Sequence, residues 1–385
     1  VLYVNPFANG QNDGSSWENA FNTLHFALLI AQPGDQIWIA KGIYRPTRNN
    51  KREAYFDVKS GIQLLGGFAG TETSAAQRNP ILHQTIIDGN IGNITDSTDN
   101  SYNLMLLHFP DENTVLDGLT FQYATASMPL ATPADVPGVS GAALYIEARD
   151  SNAYPLIRNC IFRKNVATRN GGGVYVEGGA EGSVAPRFWN CRFENNVAWL
   201  AGGAVYRGGS SYREMPGDFR GCTFYQNSAF KHGGAIFYGD ANYRTDTLQV
   251  EACVFEKNIC YNRGSSFFTS GRINSTQIQV RNCRFFNNYS GFSGTFMFES
   301  ESNPIGYITF DSTLFLQNQL YQTATGFCCY ESALRLGSEN FNTTLPGQIT
   351  IRNCVFDGNK GFLPMTIYAA CPVYTEKCQF LNQKN

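Results

Sequence analysis

The chain has 385 residues, a formal net charge of −2, 16% charged residues, 38 Gly, 29 Phe and 20 Tyr. That balance leaves no broad basic face for nucleic acid or an anionic membrane, and no run of 18 apolar residues supplies a membrane-spanning helix. The aromatic residues sit in short β-branched runs bounded by Gly and Asn, so an all-β chain with little helix is expected.

The N-terminus, Val1-Leu2-Tyr3-Val4-Asn5, has neither a basic stretch nor an apolar core of a signal peptide, and any such signal is read as already removed. Ser15 and Glu18 have the spacing of a capping box. Trp17, Phe21, Leu24, Leu28 and Ala31 recur at helical spacing, and Pro33-Gly34 stops the segment. An amphipathic helix over residues 15–31 is therefore predicted to cover the first, open edge of the sheets, with a strand at 35–40 after it. Residues 1–50 form this cap and first strand, continuous with a repetitive body over 51–385. Early in that body, the loop from Asp88-Gly89-Asn90 to Asn100 offers oxygen ligands for Ca²⁺, with Asp88, Asp96 and Asp99 as candidates. An ordinary Asx-rich turn accounts for the same residues.

From residue 160 the pattern N-C-x-F-x-x-N recurs. Cys160, Cys191, Cys222, Cys253, Cys283, Thr313, Cys354 and Cys378 follow one another at steps of 31, 31, 31, 30, 30, 41 and 24 residues. A Gly-Gly strand runs in phase with it, at Gly172-Gly173-Val174-Tyr175, Gly202-Gly203-Ala204-Val205-Tyr206 and Gly233-Gly234-Ala235-Ile236-Phe237. The period is too long for a leucine-rich repeat, too short for a propeller blade, and without a helix, which leaves a right-handed parallel β-helix of about 30–31 residues per regular coil. Equivalent residues then stack ~4.8 Å apart in columns. The Cys and Phe columns, two residues apart, share a buried face, so the column thiols are expected to be free and structural. Cys260, Cys371 and Cys328-Cys329 lie outside the column and stay unassigned. The column Asn165 to Asn359 is expected to stack side-chain amides at a corner. In an outer column, Arg220, Glu251, Arg281, Asp311 and Arg352 alternate in sign, which controls register.

Two candidate sites emerge. In the Gly-Gly strand one parity holds Leu144, Val174, Val205, Ile236, Phe267 and Met297, and the other holds Tyr145, Tyr175, Tyr206, Phe237, Phe268 and Phe298. With the first set in the core, the second forms an outer aromatic ladder flanked by Glu177 and Arg207. The ladder either contacts a ligand or becomes a second small core under residues 207–218 and 239–247. The second candidate is basic: Lys231, His232 and, one coil on, Arg263, with Arg207, Arg213 and Arg244 in nearby loops. These fit a base and a carboxylate-neutralising group for a polysaccharide lyase, or simply solvated turns. Asp218, Asp240, Asp246 and Asp311 share no column, which disfavours a two-carboxylate hydrolase.

Gly14-Ser15-Ser16-Trp17 with Ala20-Phe21, and Pro33-Gly34-Asp35 with residues 37–44, resemble the opening of bacterial choice-of-anchor Q proteins with a pectate-lyase-like fold. Residues 66–73 and 116–120 extend that similarity. The later Gly-Gly-Ala and Phe-x-x-Asn motifs are similar to the polymorphic outer-membrane protein repeats of bacterial adhesins. The resemblance implies export, often by type IX secretion, and an extracellular or outer-surface location, with no particular activity. The chain departs from that family in lacking a C-terminal sorting or anchor domain. It stops at residue 385 partway through a coil, an edge expected to be capped by further sequence or another chain. The expectation is thus a secreted or surface β-helix for display, adhesion or contact with a glycan or surface-protein partner. A lyase acting on uronic-acid glycans is the enzymatic alternative.

Overall fold

Each regular coil carries four short strands in the computed structural model, and equivalent strands of successive coils pair in parallel into sheets of 12, 11, 10 and 7 strands. The structure describes residues 1–129, 136–147, 154–177, 185–208, 217–239, 247–271, 277–300, 306–320, 331–336, 347–361, 363–367 and 371–383. Along one coil, Leu156–Arg158 lies in the 12-stranded sheet (sheet A), Ile161–Arg163 in the 11-stranded sheet (B), Val166–Ala167 in the 7-stranded sheet (D) and Val174–Val176 in the 10-stranded sheet (C). The chain is a right-handed parallel β-helix, as its repeat predicts. Among the described residues no helix is long and apolar enough to cross a membrane.

The N-C-x-F-x-x-N pattern is the signature of two tight corners. The residue before each column Cys, such as Asn159, Asn190 or Asn282, takes φ near +53°, and so does the residue before each column Asn, such as Lys164, Asn195 or Lys257, near +54°. Single left-handed residues turn the backbone sharply between sheets A and B and between B and D, and Asn tolerates that conformation better than most side chains.

The Asn that follows the second corner is buried in every coil from Asn165 to Asn359. Asn196 shows the pattern. Its Nδ2 donates to the Phe162 carbonyl (2.8 Å) and to Asn227 Oδ1 (3.0 Å), and its backbone N–H donates to that same Oδ1 (3.1 Å). The amide-to-amide links run unbroken from Asn165 to Asn359, including across the lengthened coil between Asn318 and Asn359.

Nine Phe rings of sheet B, from Phe121 to Phe380, stack with centroids 4.6–5.0 Å apart and planes within 8°, all buried but the last, Phe380, which is exposed. The Cys column lies beside them. All nine cysteines among the described residues are free. Burial pushes the thiols of Cys191, Cys222, Cys253 and Cys283 well up from their usual range. Each donates weakly to a carbonyl of the preceding coil, as Cys191 does to Ile157 (3.3 Å). Cys260 also has a place: it follows Ala167, Ala198 and Ala229 in the buried small-residue column of sheet D, and burial raises its thiol to about 12. Cys328-Cys329 lie outside the described residues.

The Gly-Gly motif answers to two separate demands. Gly202 sits at φ +66°, and a Cβ on Gly203 would lie 2.2 Å from the Gly234 carbonyl oxygen of the next coil. In the outer column of sheet A, Asp117, Arg158, Trp189, Arg220, Glu251, Arg281, Asp311 and Arg352 fall in register. Ion pairs form at both ends, Arg158 to Asp117 (2.6 Å) and Arg352 to Asp311 (2.8 Å).

The N-terminal cap differs from the predicted helix. Only Leu24–Ile30 is helical, and its N-cap, Thr23, makes no side-chain cap bond. The Ser15/Glu18 spacing does not open a helix. Instead, Phe21 exchanges backbone hydrogen bonds with Tyr3 and Asn5 in a strand-like bridge. Trp17 turns to the outer face, donating to the Glu72 carbonyl (2.8 Å) and packing on Tyr3 and Phe68. The apolar residues at helical spacing were therefore serving two structures, an outer aromatic cluster and a short helix whose Leu24, Ala27 and Leu28 cover the first coil.

Two outcomes follow from this arrangement. Asn227→Leu orphans several buried groups at ~1–3 kcal/mol each, so urea melts should show a loss above ~3 kcal/mol. Thiol titration should find the column cysteines unreactive in the native protein and fully reactive, without reductant, in denaturant. Any disulfide between column members would contradict the stacked-thiol core.

Candidate functional site

The predicted aromatic ladder exists as a stack but not as a free surface. Tyr145, Tyr175, Tyr206, Phe237 and Phe268 are in register on sheet C, with ring centroids 5.0, 5.2, 4.8 and 5.5 Å apart. Tyr145, Tyr175 and Phe268 are only 2–3% exposed and Phe237 9%, with Tyr206 partly buried. Of the two arrangements open to the sequence, the second small core is the one realised. The segments 209–216 and 240–246 of the expected cover lie outside the described residues, as do Arg213 and Arg244.

Phe298 does not belong to the ladder. One residue separates Gly294 from Phe296, against two between Gly264 and Phe267, so parity inverts: Met297 pairs with Phe268, and Phe298 enters the main core opposite Thr269. At the other end the column begins with Leu106, paired with Tyr145. Arg207 does not flank the ladder: it is buried on the opposite parity of the strand, in register with Val176 and Tyr238, its guanidinium 4.7 Å from the Tyr238 ring centroid.

The basic candidates do meet. Ala201, His232, Arg263 and Ser293 form a column of isolated parallel bridges at the turn from sheet D to sheet C, with Lys231 exposed next to it. The chemistry they offer is limited. Arg263 Nη1 is held by both oxygens of Glu299 (2.8 and 3.0 Å). The His232 ring lies 4.6 Å from the Phe268 ring, and its Nδ1 is buried without a hydrogen-bond partner. Burial, then Arg263 and Lys231, lowers the His232 pKa to about 4. At neutral pH it is an uncharged ring packed on the end of the ladder and a weak base.

No group of three His, Cys, Asp or Glu side chains converges among the described residues. Asp88, Asp96 and Asp99 are therefore not a three-carboxylate site. Asp88 is buried against Arg45 (3.3 Å), and Asp96 caps the 3₁₀ turn Ser97–Asp99 through Thr98 N–H (2.8 Å).

A different aromatic column is exposed. The third residue after Asn196, Asn227 and Asn258 is Trp199, Phe230 and Tyr261 respectively, 61%, 60% and 59% exposed. Each continues a sheet D strand, with Trp199 N–H donating to the Ala167 carbonyl and Tyr261 N–H to that of Ala229. The Phe230 and Tyr261 rings are 5.8 Å apart, and the three side chains with Val197, Ala198, Ser228 and Ala229 line a shallow groove of about 410 Å³. Its signal was present in the sequence as large aromatic residues at 31-residue steps. At the N-terminal end a second groove, of about 750 Å³, runs between the cap helix and residues 43–49 and is lined by His25, Phe26, Arg45 and Arg48.

Residues 159–177 match the Chlamydia polymorphic membrane protein repeat. The matched stretch runs from the Asn159 corner through Cys160, Phe162 and Asn165 to the Gly-Gly strand, which is the part of the coil that carries the corners and the amide ladder. No curated protein matches the chain.

Paired substitutions separate the two aromatic columns. Tyr206→Ala, which opens a gap between stacked rings, should lower stability by ~3–5 kcal/mol, whereas Trp199→Ala should change it by no more than ~0.5 kcal/mol. Thermal melts of both variants check this. His232 adds a pH dependence: its folded pKa lies below the unfolded value, so the unfolded chain binds the proton first and stability falls as pH drops from about 6.5 to about 4. His232→Leu should lose less melting temperature than the parent over that interval.

Proposed function

We propose that the protein is displayed on the outer surface of a bacterial cell, or released from it, and that it contacts an extended glycan through Trp199, Phe230 and Tyr261. The observation that carries the reading is the exposure of three large aromatic faces in successive coils of a rigid scaffold. Monomeric surfaces rarely leave such apolar rings in a row without a use. Flat rings presented along one line suit the apolar faces of consecutive sugar units. Exposed Lys231 and half-buried Asn262, next in sequence to Phe230 and Tyr261, supply donors for hydroxyl or carboxylate groups at the rim. The repeat match supports a surface location, because the matched family is named for membrane proteins. The resemblance of the N-terminal motifs supports export, by type IX secretion or another route.

A glycan array probed with the parent chain and with Trp199→Ala and Phe230→Ala tests the reading. Each variant should weaken binding about tenfold, equivalent to ~1.4 kcal/mol, with the melting temperature unchanged. Binding that survives both substitutions rejects the strip as the contact. Capture of proteins and no glycan replaces the ligand class with a surface protein. Turnover of a uronic-acid polymer that disappears in Lys231→Ala replaces binding with lyase chemistry.

A further inference from the structure

Residues 89–101 leave the body of the coil between the strands Thr85–Asp88 and Met105–His108 and return on themselves. The neck of the loop is closed by Ser101 N–H donating to the Gly89 carbonyl (2.9 Å). Across it, Asn90 Nδ2 donates to the Ile94 carbonyl (3.2 Å) and Asn93 N–H to Asp99 Oδ2 (2.7 Å). Two arginines grip the outside of the loop by its backbone: Arg45 Nε donates to the Asn90 carbonyl (2.6 Å) and Arg52 Nε to that of Asn100 (2.7 Å).

These bonds leave a residue of unmet chemistry of one kind. Asn90 Oδ1, Asp99 Oδ1 and Asn100 Oδ1 are all shut off from solvent, and none accepts a hydrogen bond. Asn90 is 8% exposed and Asn100 3%, so neither amide can turn outward to find water. One orphaned buried acceptor costs ~1–3 kcal/mol, and folded proteins keep few of them. Here three lie in one short loop, and Ser101 Oγ beside them also lacks a partner. Buried amide and carboxylate oxygens with no donor are the groups a hard cation takes as ligands. Calcium accepts the irregular geometry that a loop supplies, whereas magnesium demands a near-ideal octahedron.

We propose that this loop binds one calcium ion through Asn90 Oδ1, Asp99 Oδ1 and Asn100 Oδ1, with water completing the shell. Asp88 and Asp96 are excluded as ligands by their engagement with Arg45 and with the 3₁₀ turn. A single carboxylate ligand and two nearby guanidinium groups place the affinity at the weak end, ~10⁻⁴–10⁻³ M, the range of extracellular calcium modules. The ion stiffens a loop that bears on the first coils, next to the N-terminal groove to which Ile91 contributes.

The test uses the full chain, freed of metal with EDTA and melted in millimolar CaCl₂ or MgCl₂. Calcium should raise the melting temperature by about 2 °C or more, and magnesium should not. Asp99→Asn keeps an oxygen for Asn93 N–H and should melt like the parent in EDTA, yet lose the calcium response. Asn90→Asp adds a carboxylate and should tighten the apparent Kd at least about threefold. Absence of a calcium response in the parent, an equal response to magnesium, or an undiminished response in Asp99→Asn overturns the proposal. If Asp99→Asn does not fold, an unchanged Kd in Asn90→Asp overturns it instead.

Discussion

At the corner between sheets B and D the backbone turns through a left-handed residue, and the strand ladder that would have satisfied its N–H and C=O groups is interrupted. The buried Asn that follows supplies the missing partners from a side chain: Oδ1 takes two N–H groups of the preceding coil, and Nδ2 reaches both a Phe carbonyl of the preceding coil and the Asn of the next. Because each amide is both donor and acceptor to its neighbours, the chain of amides holds the coils in one register. The Phe stack and the Cys column two residues apart in sheet B inherit that register. Across the lengthened coil between Asn318 and Asn359 the amide link remains 3.0 Å.

The outside of the solenoid follows a different logic. In a strand, side-chain parity decides which face a residue points to, but not whether that face meets water. Sheet C presents its second parity outward, and those rings are nevertheless buried against one another, against Ala201 and next to His232. The strands of sheet D are two residues long and lead straight into a bend, so Trp199, Phe230 and Tyr261 project from the bend itself, where neighbouring coils offer little to lean on. The same residue types at the same period thus give a second core in one column and an open strip in the other.

The charged groups beside the strip are spent on structure to an extent that matters for function. Arg263 is committed to Glu299, His232 is held uncharged by burial and by two cations, and Lys231 is exposed at the surface. Proton abstraction needs a base with a pKa near the working pH, and His232, at about 4, lies well below neutrality.

Much of the fold was legible in the sequence, since a solenoid repeats one local solution: the period, the buried Cys and Phe columns, the amide corner and the alternating outer charges all follow from residue type and spacing. What spacing cannot convey is context. The capping-box spacing of Ser15 and Glu18 was genuine, but Trp17 and Phe21 were drawn to Glu72 and Tyr3, far in sequence or on another segment, and the helix shrank to Leu24–Ile30. Phe298 left the ladder because one residue fewer precedes its strand, a shift visible only once the pairing with Thr269 is known. The Asp-rich loop resolved into the carboxylates of Asp88 and Asp96, taken by Arg45 and by a turn, and into two amide oxygens and one Asp99 oxygen left over, a distinction that depends on which partners the fold brings within reach. Sequence alone determined the coil and its inner columns, because these depend on contacts between like residues one period apart. Only the tertiary structure decided which outer residues are covered and which polar atoms go unpaired, because these depend on neighbours that no period places.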